Sequence, residues 1–283
     1  MSSYRFCRTD DIGLLVDAWN RCGLPHHPGS PPLTVAHFKQ EIRELDLWCS
    51  SCMVAFDGKD PVAVSIGCKR PTHTLVHRIA VHPDQLRKGH GRHLLTSLSA
   101  KLAILGPPHL CAEIPADNAP ARALFASCGW KEERAYVDFA SDTPAASSAP
   151  PGLVVHVTVD DLMEIGLPEA DAPRSWSRAR ATLIHRKERL HGLAIASGEG
   201  LDAALLYERE DTQITIWSLY AAPGAAGSAA LGILLRDLAH REPGPAVLPR
   251  IGEDEVSFNA LREAGFSRRW EFVGATARAE SRA

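Results

Sequence analysis

The sequence predicts a mixed α/β chain written as two tandem copies of one unit, each a central mixed β-sheet flanked by helices. Three observations carry that expectation. Apolar runs of strand length are joined by glycine turns, leucines recur at spacings of three and four, and both features return in the same order in each half. Between the halves lies a Pro/Ala/Ser stretch, Ser141 to Pro151, without apolar periodicity. Such a composition suits an extended linker, so the expected division is 1–140, a linker at 141–151, and 152–283.

The elements follow in order. In the first half Met53–Phe56, a turn at Asp57–Gly58 and Val62–Ile66 read as a β-hairpin. In the second, Gly192–Ala196, a turn at Ser197–Gly200 and Ala203–Tyr207 repeat it. A third strand comes next, Val76–Val81 and Gln213–Tyr220, running into His82-Pro83 and Ala222-Pro223. Leucine-rich helices follow: Arg92–Leu105 carries Leu94, Leu95, Leu98 and Leu102, and Ala229–His240 carries Leu231, Leu234, Leu235 and Leu238. Each half closes with a short strand, a helix ending in Gly-aromatic (Gly129-Trp130, Gly265-Phe266) and a last strand. Helical regions at Ile12–Cys22, Thr34–Leu47 and Ala172–Arg189 precede the hairpins and are expected to cover one face of each sheet.

Composition narrows the function classes. The chain has 283 residues, 45% hydrophobic and 23% charged, with a formal net charge of −3, which gives nucleic acid or an anionic membrane no bulk attraction. No apolar run approaches the roughly 20 residues needed to span a bilayer, and Met1–Asp11 lacks the apolar core of a secretory leader, so a cytoplasmic protein is expected. All seven cysteines lie in the first half, and Cys49-Ser-Ser-Cys52 has no second ligand pair at metal-binding spacing. They read as small buried thiols, and no metal is expected.

The chemistry concentrates in Val76-His-Arg-Ile-Ala-Val-His-Pro-Asp-Gln-Leu-Arg-Lys-Gly89-His90-Gly91-Arg92. A strand feeds a glycine-bearing loop that opens a helix, which aims free backbone N–H groups and the positive end of the helix dipole at one spot. Arg87 and Lys88 add positive charge, and the glycines let the backbone come close to an anion. There is no Gly-Lys-Ser/Thr, and Leu94 stands where a third dinucleotide-loop glycine belongs, so two common phosphate motifs are excluded.

This segment resembles motif A of the GNAT N-acetyltransferase superfamily, a strand, an (R/Q)xxGx(G/A) loop and a helix that bind the pyrophosphate of coenzyme A. Downstream, Asn118-Ala-Pro-Ala-Arg-Ala-Leu-Phe125-Ala-Ser-Cys-Gly129-Trp130 resembles the family's motif B. The resemblance covers residues 50 to 140 and implies acetyl-CoA as co-substrate, held by Ile79, Ala80, Val81, Leu86, Arg87, Lys88, Gly89, His90, Gly91, Arg92, Asn118 and Phe125. Leu86 departs from the usual Arg or Gln at the first loop position, where a backbone N–H can still serve. His90 is placed by this reading near the cofactor phosphate, and Asn118 orients a loop or a water.

The resemblance also implies how transfer would run. The pantetheine arm would lie between two parallel strands that splay, Ile79–Val81 and Cys111–Glu113, with the N–H of Ala80 or Val81 polarising the thioester carbonyl. An amine of a small molecule or peptide attacks directly. His77 is the leading candidate to take its proton, with Glu113 acting through water as a second. The family's motif B tyrosine, which protonates the departing thiolate, is Phe125 here, so either Tyr136 or a water serves or the thiolate leaves unassisted.

In the second half the corresponding loop, Tyr220 to Leu231, has no Arg or Lys, and Asp254 stands in place of the motif B asparagine. That half reads as a degenerate structural copy that mimics the second subunit of a dimer, so the expected assembly is a monomeric pseudo-dimer or a homodimer. A non-catalytic acyl-CoA-binding regulatory module is the alternative to an enzyme.

Overall fold

The computed structural model describes residues 2–150, 153–168, 174–198, 200–210 and 212–280. The chain divides into two compact units: Met1–Glu133 with Val273–Ala283, and Arg134–Phe272.

Unit 1 runs β1 (Ser2–Phe6), α1 (Ile12–Cys22), a 3-10 turn (Leu24–His26), α2 (Val35–Leu45), β2 (Met53–Asp57), β3 (Asp60–Lys69), β4 (His73–Val81), α3 (His90–Leu105), β5 (His109–Pro115) and α4 (Ala119–Ser127). β6 (Lys131–Ser141) then carries the chain into unit 2. The expected hairpin is present: Asp57 pairs with Asp60, which leaves Gly58 and Lys59 as the turn, and Gly58 takes the φ of +61° that such a turn demands. The strands lie in the order β1-β2-β3-β4-β5. β1 to β4 pair antiparallel, and β5 joins β4 in parallel.

β5 alternates as a half-covered strand should. Leu110, Ala112 and Ile114 enter a core with Leu95, Leu98 and Leu102 of α3, whereas Cys111 and Glu113 face the other side. Burying each of those leucines contributes roughly 2 kcal/mol. α1 and α2 belong to the opposite face, where Leu15, Val16, Ala18 and Cys22 of α1 and Phe38 of α2 are buried. Thr34 caps α2 by accepting from the His37 N–H at 3.1 Å.

Unit 2 repeats the plan with β7 (Val154–Val157), α5 (Val159–Glu164), a 3-10 turn (Trp176–Arg178), α6 (Arg180–His185), β8 (His191–Ser197), β9 (Gly200–Arg209), β10 (Ile214–Ala221), α7 (Ala225–Arg241), β11 (Ala246–Ile251) and α8 (Phe258–Glu263). Its strand order is β6-β11-β10-β9-β8-β7, and Leu231, Leu234, Leu235 and Leu238 of α7 fill its core. The single helical region expected at Ala172–Arg189 is instead two 3-10 turns and the short α6, and its first residues lie outside those described. Buried Arg178 and the tight local turns explain why no apolar stripe of full helix length exists there.

The final strand, β12 (Ser267–Arg278), starts in unit 2 and ends in unit 1 next to β5. There Ala275 and Ala279 join the α3 core, and the Ala279 N–H donates to the Pro108 carbonyl at 2.6 Å. The stretch expected as a linker is described through residue 150 and follows α7. The Ser147 N–H donates to the Arg236 carbonyl at 3.2 Å, and the Ala149 N–H to the Asp237 carboxylate at 2.9 Å.

Candidate active site

The site grows from the end of β4. β4 and β5 pair at His73–His109, Thr74–Leu110, Leu75–Cys111 and Val76–Ala112, and no further. Both strands continue, β4 to Val81 and β5 to Pro115, so a gap opens between their facing edges. The His82 N–H donates to the Val62 carbonyl on β3 at 2.9 Å. Strand backbone alternates, so Ala80 also points at β3, while Ile79 and Val81 turn their N–H and C=O groups to the open edge. Of the two donors expected from the sequence, Val81 therefore faces the gap and Ala80 does not. Ile79 joins it.

At the far end of that gap α3 begins. Gly89 stands before it with φ +86° and contributes no capping side chain, and the first helical amide bonded within the helix is that of His93, to the Gly89 carbonyl at 3.0 Å. The N–H groups of His90, Gly91 and Arg92 are the open donors every helix start carries, at the positive end of a helix of 16 residues. Arg87, itself at φ +64°, and Lys88 are exposed beside them. The Lys88 ammonium is within reach of Gln85 Oε1 at 2.8 Å.

Several residues of this loop do other work than the sequence suggested. The Leu86 N–H is turned back to the Pro83 carbonyl at 3.3 Å, closing a 3-10 turn, so it is not a spare anion donor. The His90 ring is buried and exchanges a hydrogen bond with the Tyr4 hydroxyl at 2.7 Å, so only its backbone serves the loop. Gly91 is small because of packing: a Cβ there would sit 2.8 Å from Leu124 Cδ2 of α4. Arg92 reaches the Ser127 carbonyl at 3.2 Å and ties α3 to the end of α4. Asn118 caps α4, accepting from the Ala121 N–H at 3.0 Å. Phe125 is buried edge-on against Trp130, with ring centroids 4.9 Å apart, and can donate no proton.

The candidate base is set by a bulge. Ile66 pairs with Arg78 and Gly67 with Val76, which leaves His77 as the extra residue on β4. A bulge re-aims side chains, and here two sequence neighbours both reach Glu41 of α2. Arg78 donates to both Glu41 oxygens at 2.6 Å, and His77 Nε2 lies 3.9 Å from Oε1. Burial pushes the Glu41 carboxyl up, but the paired hydrogen bonds and charge of Arg78, with His77 nearby, outweigh it and hold Glu41 well below the usual carboxylate range. The Arg78 guanidinium also lies 5.3 Å from the Trp19 ring centre. The Glu41–Arg78 pair was missed in the sequence, although a signal existed: Phe38, Glu41 and Leu45 share one helix face, and a carboxylate on an apolar stripe needs a buried partner.

Glu113 lies on the face of β5 turned away from the α3 core. Tyr136 is buried on β6, in unit 2. The cysteine thiols are buried or half-buried, and burial pushes Cys7 and Cys111 up to about 12, so neither is a nucleophile at neutral pH. Among the described residues no cluster of His, Cys, Asp or Glu could hold a metal, and no helix is long and apolar enough to cross a membrane.

Unit 2 shows the same gap, closed. β10 and β11 pair in parallel only at Ile214–Ala246 and Thr215–Val247 before they part. Beyond that point the fully buried Arg178 donates from Nε to the Trp217 carbonyl on β10 (3.1 Å) and from Nη1 to the Arg250 carbonyl on β11 (3.3 Å). The same Nη1 meets Glu255 at 2.6 Å, and Glu255 also binds Arg174 at 2.8 Å. The loop before α7 is short, residues 222–224, and a Cβ on Gly227 would run into the Ala222 backbone carbonyl. That backbone therefore covers the first turn of α7.

The parted strands, the uncapped helix start and the capped α4 form one connected frame in unit 1. Residues 15–130 match the family model described as acetyltransferase (GNAT) family. No curated protein shows significant similarity to the chain. Among solved structures, a GCN5-related N-acetyltransferase from Sphaerobacter thermophilus superposes with a TM-score of 0.71 at 14% identity, over 99% of this chain and 96% of its own. A tandem GNAT protein from the clavulanic acid biosynthesis pathway gives 0.69 at 15% identity, over 100% of both chains. A GCN5-related N-acetyltransferase from Anabaena variabilis gives 0.61 at 9%, over 99% of this chain and 73% of its own. Residues 15–130 thus match the GNAT acetyltransferase family model, and the chain shares its fold along its whole length with a tandem GNAT protein.

Proposed function

We propose that unit 1 transfers an acyl group from acetyl-coenzyme A to an amine of a small molecule or peptide, and that unit 2 is a structural copy without a cofactor site. One observation carries the reading: β4 and β5 stop pairing after Val76 and Ala112, and the gap they leave leads to the uncapped start of α3. The open N–H groups of His90, Gly91 and Arg92, with Arg87 and Lys88 beside them, suit a pyrophosphate. The outward N–H and C=O groups of Ile79 and Val81 suit an extended amide-bearing arm, which needs donors and acceptors in strand spacing. The co-substrate supplies an activated acyl thioester.

The chain's own residues then have limited tasks. An outward N–H of Ile79 or Val81 steadies negative charge on the acyl oxygen. His77 accepts a proton from the amine, and the Glu41 carboxylate 3.9 Å away favours the imidazolium that results. Glu113 holds the alternative role through a water. With Phe125 in the core, the departing sulfur takes its proton from solvent.

Buried Phe125 favours a second reading, a regulatory module that binds acyl-coenzyme A without turnover. Thiol release from acetyl-coenzyme A, assayed against amino acids, polyamines, aminoglycosides and peptides with free N-termini, separates the two. Release stimulated by one acceptor class supports transfer. Saturable coenzyme A binding with no stimulated release across the panel overturns it in favour of the module.

A further inference from the structure

The 3-10 turn Leu24–His26 sits on the open edge just described. His26 Nε2 lies 2.8 Å from the Val81 carbonyl, one of the backbone acceptors that strand alternation turns into the gap. A carbonyl can only accept, so Nε2 carries the proton and His26 donates. The ring is exposed.

The turn belongs to an exposed loop closed at its base. Its base is clasped by Asn20, whose side chain donates to the Leu33 carbonyl at 2.9 Å and accepts from the Leu33 N–H at 2.8 Å. Between those anchors, residues 25–32 are exposed. Gly23 opens the turn where a Cβ would strike the Trp19 ring at 2.7 Å, and His27 stacks on that ring with centroids 6.1 Å apart. Trp19 in turn carries Arg78, which holds Glu41 beside His77. The turn thus touches both the strand edge and the cluster of the candidate base.

Unit 2 has the same device in a fixed form. Its turn Trp176–Arg178 also lies between the two helices that precede the hairpin, and its last residue also donates to a carbonyl of the central strand. There the donor is a fully buried arginine that clamps both parted strands and a buried carboxylate, whereas in unit 1 it is one exposed imidazole on one carbonyl. Removing the first costs a buried charge network; releasing the second costs a single neutral hydrogen bond.

We propose that Leu24–His26 is a displaceable latch on the unit 1 groove: His26 holds the Val81 carbonyl until an amide N–H of the acyl carrier takes it. The inference rests on the reading of unit 1 as the acyl-coenzyme A site. It makes His26 a positioning residue.

The test is calorimetric titration of the full chain with coenzyme A, wild type against His26→Ala, together with NMR of 15N-histidine-labelled wild type. Loss of a competing hydrogen bond is expected to tighten binding by about two- to tenfold. The His26 ring signals, assigned by their loss in the variant, are expected to shift when coenzyme A saturates. Equal or weaker binding by His26→Ala beside a wild type that binds, or His26 signals that stay in place at saturation, overturns the latch alone. A wild type that binds no coenzyme A overturns the reading beneath it as well.

Discussion

In unit 1, β4 reaches its helix through residues 82–89, and the helix begins with open N–H groups and two exposed cations. In unit 2, β10 reaches its helix through residues 222–224, and the Ala222 backbone lies over the helix start. The strands part in both units, and in unit 2 a guanidinium bridges them. A parted strand pair is unstable unless something satisfies its facing carbonyls and N–H groups. On the proposed reading, unit 2 satisfies them from within and gives up a ligand, and unit 1 leaves them for one, with His26 on the Val81 carbonyl in the interval.

The largest expected effect follows from that difference. Arg178→Ala removes a fully buried guanidinium, leaves Glu255 with Arg174 as its cation and the Gly252 N–H as a donor, and takes a donor from two carbonyls. A loss of about 3–5 kcal/mol is expected in denaturant unfolding. A loss under about 1 kcal/mol would mean that the bridge is dispensable and the contrast between the units is wrong.

The glycines give a paired comparison of smaller size. Gly227→Ala sets a methyl against the Ala222 backbone, which must move, whereas Gly91→Ala meets the far end of the Leu124 side chain, which can turn. Overpacking of this kind costs about 1–3 kcal/mol, and Gly227→Ala is expected at or above the top of that range, with Gly91→Ala at the bottom. Thermal unfolding of the two variants checks the order, and the reverse order breaks the account of the covered helix start.

Acid titration sharpens the unit 1 side. Glu41 has its folded pKa depressed, so its stabilisation is present above the unfolded carboxylate pKa of about 4.3 and is lost as pH falls through the lower folded value. Glu41→Gln is therefore expected to be less stable than wild type at pH 7, with the gap narrowing steadily below about pH 4. Stability curves for both proteins measure it, and a gap independent of pH would remove the ion pair from the explanation.

What was legible in the sequence was local. Asp57–Gly58 marks a hairpin turn and the leucines of α3 a buried face, each a job done by residues within their own few neighbours. What was hidden depends on distant partners. His77 reaches Glu41 from 36 positions away only because a bulge in β4 turns it, and a bulge leaves no mark in an apolar run. His26 meets Val81 across 55 positions, and Arg178 meets Arg250 across 72. The place of β12 beside β5 is likewise a matter of non-local pairing. Leu86 and His90 show the converse: the motif puts both in the loop, but one amide and one ring are engaged elsewhere.

The stoichiometry of coenzyme A binding tests the central contrast most directly. Calorimetric titration of the intact chain is expected to give one site per chain, weakened by charge reversal of Arg87 and Lys88 and indifferent to substitution of Pro223. Two sites per chain, or one site that survives the reversal at 87 and 88 and is lost on changes at 222–224, would contradict it.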